Sequence, residues 1–323
     1  MELKNIDIQA MLFGYIMGDG WLSINGVRRN IGASGSYDGL VRIKKDLTTL
    51  YGDIGKATIF TEETYSEKYN IAGITNKCTF NTKVADTFKS LGMPVGKRTE
   101  IETHIPQWIL NGHNITKISF LSGYYAADGV NANVQVNRKT QRCLELYFHK
   151  REYLKDNAQE FCNEIMKILN DLGITATYST TRVKTKDWSI RYVISFDNNL
   201  QNMIKALSIL DLRYCPEKEK SIVNMLYYML YKQSFIDRFA KVKQHCEYNR
   251  INSIKQKNKD IAALYGVTEN KVKKIKTGAN IGFNAKNILS FDDFVTILSA
   301  LNPVKQGKLS DMYALVSDLS CAK

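Results

Sequence analysis

A nine-residue stretch occurs twice in the chain, as LFGYIMGDG at 12–20 and as LSGYYAADG at 121–129. Leu, Gly, Tyr, Asp and Gly recur at the same offsets, so that Asp19 corresponds to Asp128. The separation of the two copies is the length of a small domain, and such a repeat indicates two copies of one domain. This duplication constrains the fold more than any other feature of the sequence.

Each copy reads as a helix that ends at the Asp-Gly pair, because glycine commonly stops a helix. Gly14 and Gly18 are four residues apart and share one face of the first helix, and Gly123 and Ala127 match them in the second. A glycine inside a helix costs about 1 kcal/mol relative to alanine. Small residues at matching positions therefore predict a close approach of two helices, and the simplest partner of each helix is the other copy.

The two aspartates stand where the helix dipole is negative, which is an unfavourable place for a carboxylate. A cation at this position would explain them. Helices that cross at their small residues would bring Asp19 and Asp128 together at one end. Paired carboxylates that hold a divalent metal suit phosphodiester hydrolysis. An ordinary helix stop would explain one copy, but it does not explain two copies in register.

Both stretches resemble the LAGLIDADG motif of homing endonucleases, and the copy at 121–129 is close to the form found in double-motif members and in intein endonuclease domains. The resemblance covers roughly residues 6–235. The chain departs from the common pattern at Met17 and Gly18, where many members have an acidic residue and alanine. The resemblance implies a site-specific DNA endonuclease that makes a staggered double-strand break as a monomer.

The order of predicted elements also repeats. The resemblance implies an α+β fold of two pseudo-symmetric αββαββα halves, 1–112 and 113–235, whose antiparallel four-stranded sheets form a saddle over DNA. A small all-α domain follows at 236–323. Hydrophobic spacing and turn residues predict helices at 6–18, 38–51, 82–91, 115–127, 151–172, 198–210 and 216–235, and strands within 21–34 and at 55–65, 68–81, 131–138, 142–149, 174–185 and 188–197.

Polar residues along these strands could pair with base edges and phosphates, because alternate strand residues would face the groove. A solvated sheet face is the other interpretation of the same pattern. The candidates for DNA contact are Arg28, Arg29, Asn30, Asn133, Gln135, Asn137, Arg138, Arg182, Lys184, Lys186 and Arg191.

The resemblance also implies a basic residue near the acids, which helps to activate water or to stabilise charge. In the first half we choose Lys97, with Arg98 as the alternative. In the second half an alignment of Leu91 with Leu207 places Arg213 opposite Lys97, and Lys218 follows. The expected cofactor is Mg²⁺ (or Mn²⁺), which we expect to be held by Asp19 and Asp128 and by the backbone oxygens of Gly18 and Ala127.

The region after the predicted helix at 216–235 is basic, since residues 238–276 hold 11 Lys or Arg against 3 Asp or Glu. Residues 260–275 read as helix, glycine turn and helix, with Thr268 as the cap of the second helix. This pattern resembles a helix-turn-helix with 269–277 as recognition helix. A plain helical hairpin is the alternative, and 286–320 looks helical without an assigned function. The residues expected at DNA are Asn270, Lys271, Lys273, Lys274 and Lys276.

The net charge of +13 favours a polyanionic partner, which fits double-stranded DNA better than a membrane surface. No run of 18 apolar residues exists, and the N-terminus lacks the form of a signal peptide, so we expect an intracellular protein. The six cysteines show no metal-ligand spacing. Two alternatives to the endonuclease remain: an RNA-binding intron maturase on the same scaffold, and a non-catalytic transcription regulator, although such regulators lack the metal-binding acids.

Overall fold

The computed structural model describes residues 4–66, 71–132, 134–135, 140–141, 144–182 and 189–279. The chain divides into two compact units, of which the first comprises 1–132 and 143–222 and the second 133–142 and 223–323. None of the helices in the described ranges is long and apolar enough to cross a membrane. The segment 286–320, which was predicted to be helical, lies outside the described residues.

The first half of the first unit has the predicted element order, and its boundaries agree with the prediction within a few residues. Its strands form an antiparallel sheet in the order β1-β2-β4-β3. The turn between β1 and β2 is at Gly26, whose φ of +58° is a conformation that glycine adopts readily. In chain order the elements are α1 (Asn5–Asp19), β1 (Gly20–Asn25), β2 (Arg28–Gly35), α2 (Tyr37–Tyr51), β3 (Ile59–Ser66), β4 (Ile71–Phe80) and α3 (Thr82–Ser90).

The second half repeats this order with one difference. Its main sheet has three described strands in the order β7-β9-β8, whereas four were predicted, and β5 and β6 form a separate two-stranded hairpin in the second unit. The short helix α4 (Gln107–Leu110) precedes this half, whose elements are α5 (Asn114–Asp128), β5 (Val134–Gln135), β6 (Thr140–Gln141), β7 (Glu145–Arg151), α6 (Lys155–Asp171), β8 (Ala176–Arg182), β9 (Ser189–Phe196) and α7 (Leu200–Ile209).

The shorter sheet has a local cause just after α5. Gly129 bridges Leu146, and the amide of Val130 donates to the carbonyl of Glu145 at 2.9 Å, as a first strand of the sheet would. Two residues later, however, the carbonyl of Ala132 accepts a hydrogen bond from the hydroxyl of Ser221. The backbone therefore pairs with the sheet for about two residues in this half, while β1 continues its pairing with β2 from Gly20 to Asn25.

The core of the first unit is the crossing of α1 and α5, which confirms the approach predicted from the small residues. A Cβ atom built on Gly14 would lie 2.2 Å from the carbonyl oxygen of Phe120, and one built on Gly123 would lie 1.9 Å from that of Met11. Any side chain at either position would therefore collide with the backbone of the other helix. At the far end of the crossing, the buried Asp7 accepts a hydrogen bond from the hydroxyl of Thr116 at 2.9 Å.

The second unit is built around the later part of α8 (Pro216–Ile251). The sequence predicted a helix that ends at 235 and a basic connector after it. This prediction is wrong, because the helix continues to Ile251. Phe235, Phe239, Val242 and Cys246 continue the helical spacing of apolar residues through the basic region, and that explains the longer helix. The boundary predicted between 235 and 236 falls inside this helix.

Two short helices follow α8 and match the predicted helix, turn and helix. They are α9 (Asn258–Leu264) and α10 (Glu269–Lys276), joined through Gly266, whose φ is +59°. Thr268 occupies the N-cap position of α10, although its side chain makes no capping hydrogen bond. The helices share a small apolar cluster with α8, and its buried members are Val242, Cys246, Ile261, Ala262 and Val272.

Candidate active site

The two repeated aspartates end α1 and α5 and lie close together, as the crossing of the helices predicted. A Cβ atom built on Gly18 would lie 3.3 Å from Oδ2 of Asp128. Burial, and after it the charge of Asp19, raises the pKa of Asp128 to about 7. Burial raises the pKa of Asp19 as well. Two carboxylates in one partly buried place therefore repel each other, which is the situation that a bound cation relieves.

Arg98 neutralises the end of α1. Its guanidinium donates to the carbonyl of Ile16 at 2.6 Å and to that of Gly18 at 2.5 Å. The carbonyls of the last turn form the negative end of the helix dipole, so a cation is favourable there. The charge of Arg98 opposes the rise in the pKa of both aspartates. Lys97, which was the first choice from the sequence, instead pairs with Glu100 at 2.8 Å and is largely exposed. The structure thus places Arg98, the alternative, and not Lys97 beside the end of α1.

Lys218 neutralises the end of α5, as Arg98 neutralises the end of α1. Its ammonium donates to the carbonyls of Ala126 at 2.8 Å and of Ala127 at 2.5 Å, and its charge also opposes the rise in the pKa of both aspartates. Arg213, which the alignment suggested, forms an ion pair with Asp211 instead. The alignment failed because this half starts a new helix at Pro216, which places Lys218 in its first turn.

The donors around the acids fit a divalent cation of the Mg²⁺, Mn²⁺ and Ca²⁺ type, since all of them are oxygens. The carbonyls of Gly18 and Ala127 already accept hydrogen bonds from Arg98 and Lys218, but a carbonyl has a second lone pair. In the part of the chain that is described, no group of three or more His, Cys, Asp or Glu side chains could hold a metal. Substrate phosphates and water would therefore have to complete the coordination.

The tyrosines of the two motifs form hydrogen bonds with different kinds of partner. Tyr124 forms a side-chain hydrogen bond with Asp128, which opposes the rise in the pKa of that carboxyl. Tyr15 is its counterpart in the first motif, but its hydroxyl donates to the backbone carbonyl of Ser34 at 2.9 Å. The two acids are thus equivalent in position but not in surroundings.

A cavity of about 200 Å³ opens beside Asp128. Burial lowers the pKa of His149 in its wall, and the nearby charge of Arg191 lowers it further. Besides the motif residues Gly18 and Asp128, the wall includes Arg98, Tyr147, His149 and Lys150. Lys150 was not singled out from the sequence. Its signal was the alternation of β7, where a lysine follows Leu144, Leu146 and Phe148 at the next core-facing position.

The candidates for groove contact in the first sheet divide between its two faces. Asn30 accepts a hydrogen bond from the indole of Trp21 at 3.3 Å, and Arg28 is exposed. Arg29 instead bonds to Asp86 of α3 at 2.7 Å, on the face that helices cover. Because neighbouring strand residues point to opposite faces, Arg28 and Arg29 cannot both face a groove.

In the second sheet, Arg191 lies with its guanidinium 4.5 Å from the ring centre of Tyr147. It is paired in register with His149 on β7, which places both on the face that also carries Tyr147. Gln135 and Arg182 lie within β5 and β8. The other candidates lie outside the described residues: Asn133, Asn137, Arg138, Lys184 and Lys186.

The lysines of α10 also differ in their surroundings. The ammonium of Lys271 lies 5.6 Å and 5.4 Å from the ring centres of Phe235 and Phe239, in the position of a cation–π contact. Lys273 forms an exposed ion pair with Glu269 at 3.6 Å. The remaining candidates on this helix are exposed and make no ion pair with a described residue: Asn270, Lys274 and Lys276.

The fold and the acids define a duplicated α+β protein with a carboxylate pair at the crossing of its two motif helices. Residues 116–241 match the family model of a LAGLIDADG-like domain. Residues 116–241 are therefore similar to a LAGLIDADG-like domain, which agrees with the resemblance stated for the motif at 121–129.

Similar proteins are found among archaeal sequences. The tRNA-splicing ligase RtcB of Methanocaldococcus jannaschii is 28% identical over 239 residues, which are 71% of this chain and 24% of the relative. The RtcB of Pyrococcus abyssi is 29% identical over 225 residues. The replication factor C small subunit of M. jannaschii is 26% identical over 292 residues, which are 89% of this chain and 15% of the relative. The chain thus spans about a quarter or less of the length of these relatives.

Two solved structures are also similar. The homing endonuclease I-DmoI in complex with DNA and Ca has a TM-score of 0.42 and 17% identity, over 67% of this chain and 98% of that one. The homing endonuclease I-WcaI bound to its DNA recognition sequence has a TM-score of 0.46 and 12% identity, over 69% of this chain and 88% of that one.

Proposed function

We propose that the protein is a site-specific DNA endonuclease that depends on a divalent metal and cuts both strands of a duplex, leaving staggered ends. One observation carries this proposal: two mutually repelling carboxylates, Asp19 and Asp128, stand at one end of a helix crossing, each beside a basic side chain. Hydrolysis of a phosphodiester needs this combination, because oxygen donors hold a cation and fixed positive charges face a charged phosphate.

In this mechanism Asp19 and Asp128 would hold Mg²⁺ or Mn²⁺ together with the backbone oxygens of Gly18 and Ala127. A divalent cation bound there supplies Lewis acidity beside the scissile phosphate and lowers the pKa of water. Arg98 and Lys218 already neutralise the ends of the motif helices. Each also contributes fixed charge to stabilise the transition state, and each aspartate serves one strand of the duplex.

The activities named for the archaeal relatives belong to proteins of which this chain spans about a quarter or less. An RNA ligase and a subunit of a replication factor have unlike functions, yet both match this chain over a minor part of their own length. We infer that the matching segment is a module carried within these proteins and that it has a function of its own. A nuclease site on that module is consistent with hosts of different activities.

The decisive experiment replaces each acid by its neutral isostere. A randomised duplex library with Mg²⁺ first selects a target that the protein cuts. Asp19→Asn and Asp128→Asn should then each abolish double-strand cleavage, at least about 10³-fold, because the amide loses the charge that holds the metal. Binding of the same duplex in Ca²⁺, measured by titration, should change by less than tenfold.

Asp171→Asn is the matched control and should not affect cleavage. Asp171 is the last residue of α6 and forms an ion pair with Lys117, which lies near the start of α5 and thus at the opposite end of that helix from Asp128. Full cutting by both single variants would remove the proposed site. A protein that binds duplex DNA but cuts nothing in Mg²⁺ or Mn²⁺ would instead be a regulator. Preference for a folded intron RNA over duplex DNA would favour a maturase.

We further propose that α9 and α10 form a DNA-binding helix-turn-helix, with Lys274 and Lys276 at phosphates and Asn270 nearer to bases. Their exposure supports this, whereas Lys271 is engaged with two aromatic rings. Truncation near 236 would cut α8 within its length, so substitution is the better test.

Lys274→Glu combined with Lys276→Glu should weaken binding and reduce the slope of log affinity against log salt by about 1.8, since each lost phosphate contact removes about 0.9. Lys56→Glu combined with Lys89→Glu changes the net charge equally at exposed positions of the first unit and is the control. If both pairs change the slope by the same amount, α10 has no specific role in binding.

A further inference from the structure

A buried lysine stands at the end of β7. Lys150 is 2% exposed and follows Leu146 and Phe148 on the same face of that strand, with Leu144 just before it. Burial lowers its pKa to about 8. A buried ammonium is costly unless it is satisfied by hydrogen bonds, and an apolar side chain at this position would have avoided the cost. The lysine therefore needs a reason other than packing.

The hydrogen bonds of Lys150 lie on the segment that joins the two halves, residues 98–105, here called the linker. Its ammonium donates to the carbonyl of Ile101 at 2.5 Å and to the hydroxyl of Thr103 at 2.6 Å. The linker has no helix or strand of its own in the structure. Lys150 thus fixes a segment that has no regular backbone hydrogen bonding, and it does so from the core of the second half.

Other groups of the second half hold the same segment. The amide of Arg151 donates to the carbonyl of Thr99 at 2.9 Å, and the side-chain oxygen of Asn157 accepts from the amide of Thr103 at 2.9 Å. Further along, a carboxylate oxygen of Glu164 accepts from the amide of Ile105 at 2.7 Å. Lys150 differs from these groups because it is the buried charge of the set and because it also lines the cavity that contains Asp128.

Arg98 is the first residue of the linker, three residues before the carbonyl that Lys150 holds. Its guanidinium reaches back to the carbonyls of Ile16 and Gly18 in α1. The position of Arg98 thus depends on how the linker is fixed. Its counterpart Lys218 needs no such support, because it lies in the first turn of the long helix α8.

We propose that Lys150 is a positioning residue that ties the linker to the second half and so holds Arg98 against the last turn of α1. The inference rests on the proposed function for the catalytic importance of Arg98, but the anchoring itself can be measured without cleavage. It predicts that the second half controls the geometry of the first acid through a residue that touches neither acid.

The test replaces Lys150 by methionine, which keeps the length of the side chain and removes its donors. Amide hydrogen exchange should accelerate in the linker, at Thr103 and Ile105, and not in α5 or α6. The rate constant of single-turnover cleavage should fall about 10²-fold, the typical cost of misplacing a catalytic group by about 1 Å. In the Arg98→Ala background the same change should have less than a threefold effect, because Lys150 acts through Arg98.

Two controls separate this role from general destabilisation. Lys117→Met removes another buried lysine of the same unit, which pairs with Asp171 at 2.6 Å and does not touch the linker. It should leave linker exchange and cleavage unchanged. Thr103→Val removes the acceptor of Lys150 and should reproduce part of the loss, whereas Thr103→Ser keeps the hydroxyl and should restore it.

Unchanged exchange in the linker of Lys150→Met would overturn the inference, and so would equal losses of cleavage from Lys150→Met with and without Arg98. Failure of the wild-type protein to cut any duplex would overturn the proposed function alone. In that case faster exchange confined to the linker of Lys150→Met would still support the anchoring.

Discussion

The two halves of the first unit share a frame and differ in what surrounds it. In both, a motif helix ends in an aspartate and a basic side chain donates to the carbonyls of its last turn. In the first half that side chain, Arg98, comes from a linker without regular structure, and in the second half Lys218 comes from a long helix. Charge compensation at the helix end is thus common to both halves, while the segment that supplies it is not.

The difference extends to the acids and the sheets. Tyr124 bonds to Asp128, whereas Tyr15 bonds to a backbone carbonyl. The first sheet has four described strands, and the main sheet of the second half has three. The two copies therefore differ outside the helix crossing. At the crossing the backbones are too close for larger side chains, whereas residues at the periphery are not constrained in this way.

The largest effect should come from removing the two basic side chains. Arg98→Ala and Lys218→Ala should each slow cleavage about 10²- to 10³-fold, the usual cost of losing one fixed charge or donor at a transition state. Lys97→Ala and Arg213→Ala should stay within about threefold, since these side chains pair with Glu100 and Asp211. The measurement is the nicking rate of each variant on a duplex whose two strands are labelled separately.

If each half serves one strand, Arg98→Ala should slow one strand more and Lys218→Ala the other. Equal slowing of both strands by each variant would mean that the two halves share a single chemical step. A large loss from Lys97→Ala would contradict the assignment of Arg98.

The crossing of the helices should be the next most sensitive place, in both halves alike. Gly14→Ala and Gly123→Ala place a methyl group about 2 Å from the backbone of the other helix and should lower the free energy of unfolding by about 3 kcal/mol or more. Gly52→Ala is the control, because nothing lies within 4 Å of its Cβ position and its cost is the strain of a φ of +71° alone, about 1 kcal/mol. Denaturant unfolding measures all three.

An equal loss at Gly52 and Gly123 would show that backbone conformation, and not the crossing, sets the cost. A loss at one of the two crossing positions alone would show that the halves do not contribute equally to this contact.

The smallest effect is a pH dependence that distinguishes the two acids. Because the pKa of Asp128 is raised from 3.8 to about 7 on folding, the folded protein binds this proton more tightly than the unfolded chain. Without metal, the stability of the protein should therefore decrease between about pH 4 and pH 7. Asp128→Asn removes this loss and should be more stable than the wild type at pH 8, by roughly 1–2 kcal/mol for a partly exposed group, with the gain vanishing near pH 4.

Unfolding midpoints in a chelator at pH 4, 6 and 8 measure this difference. Asp19→Asn should change in the same direction, since burial raises the pKa of that carboxyl too. Asp171→Asn is the control of opposite sign: hydrogen bonds from Lys117 lower the pKa of Asp171, so its removal should destabilise the protein above about pH 4. The repulsion between the acids would be contradicted if the wild-type protein became more stable relative to Asp128→Asn as the pH rises from 4 to 7.

The sequence predicted the elements of the first unit well because their signals are local. Helical spacing, strand alternation and glycine turns such as Gly26 and Gly92 depend on neighbouring residues. The end of α8 differs from the prediction because the stretch after 235 is basic in composition, although Phe235, Phe239 and Val242 have the apolar spacing of a helix. The two aspartates lie together, as the alignment of the two copies predicted, whereas Lys97 and Arg213, where the copies do not align, pair with Glu100 and Asp211 instead.

The sequence by itself determined the duplication, the two motif helices with their small residues, and the pairing of Asp19 with Asp128. Two copies that align residue by residue show which positions of the two halves correspond. Only the tertiary structure decided which cations reach the acids. Arg98 and Lys218 meet the motif helices from a linker and from the start of a helix, and Lys150 holds that linker from the end of a strand. All three are distant in sequence from the residues that they contact. The position of a side chain in such contacts depends on how separate elements pack, and no local pattern of residues records that.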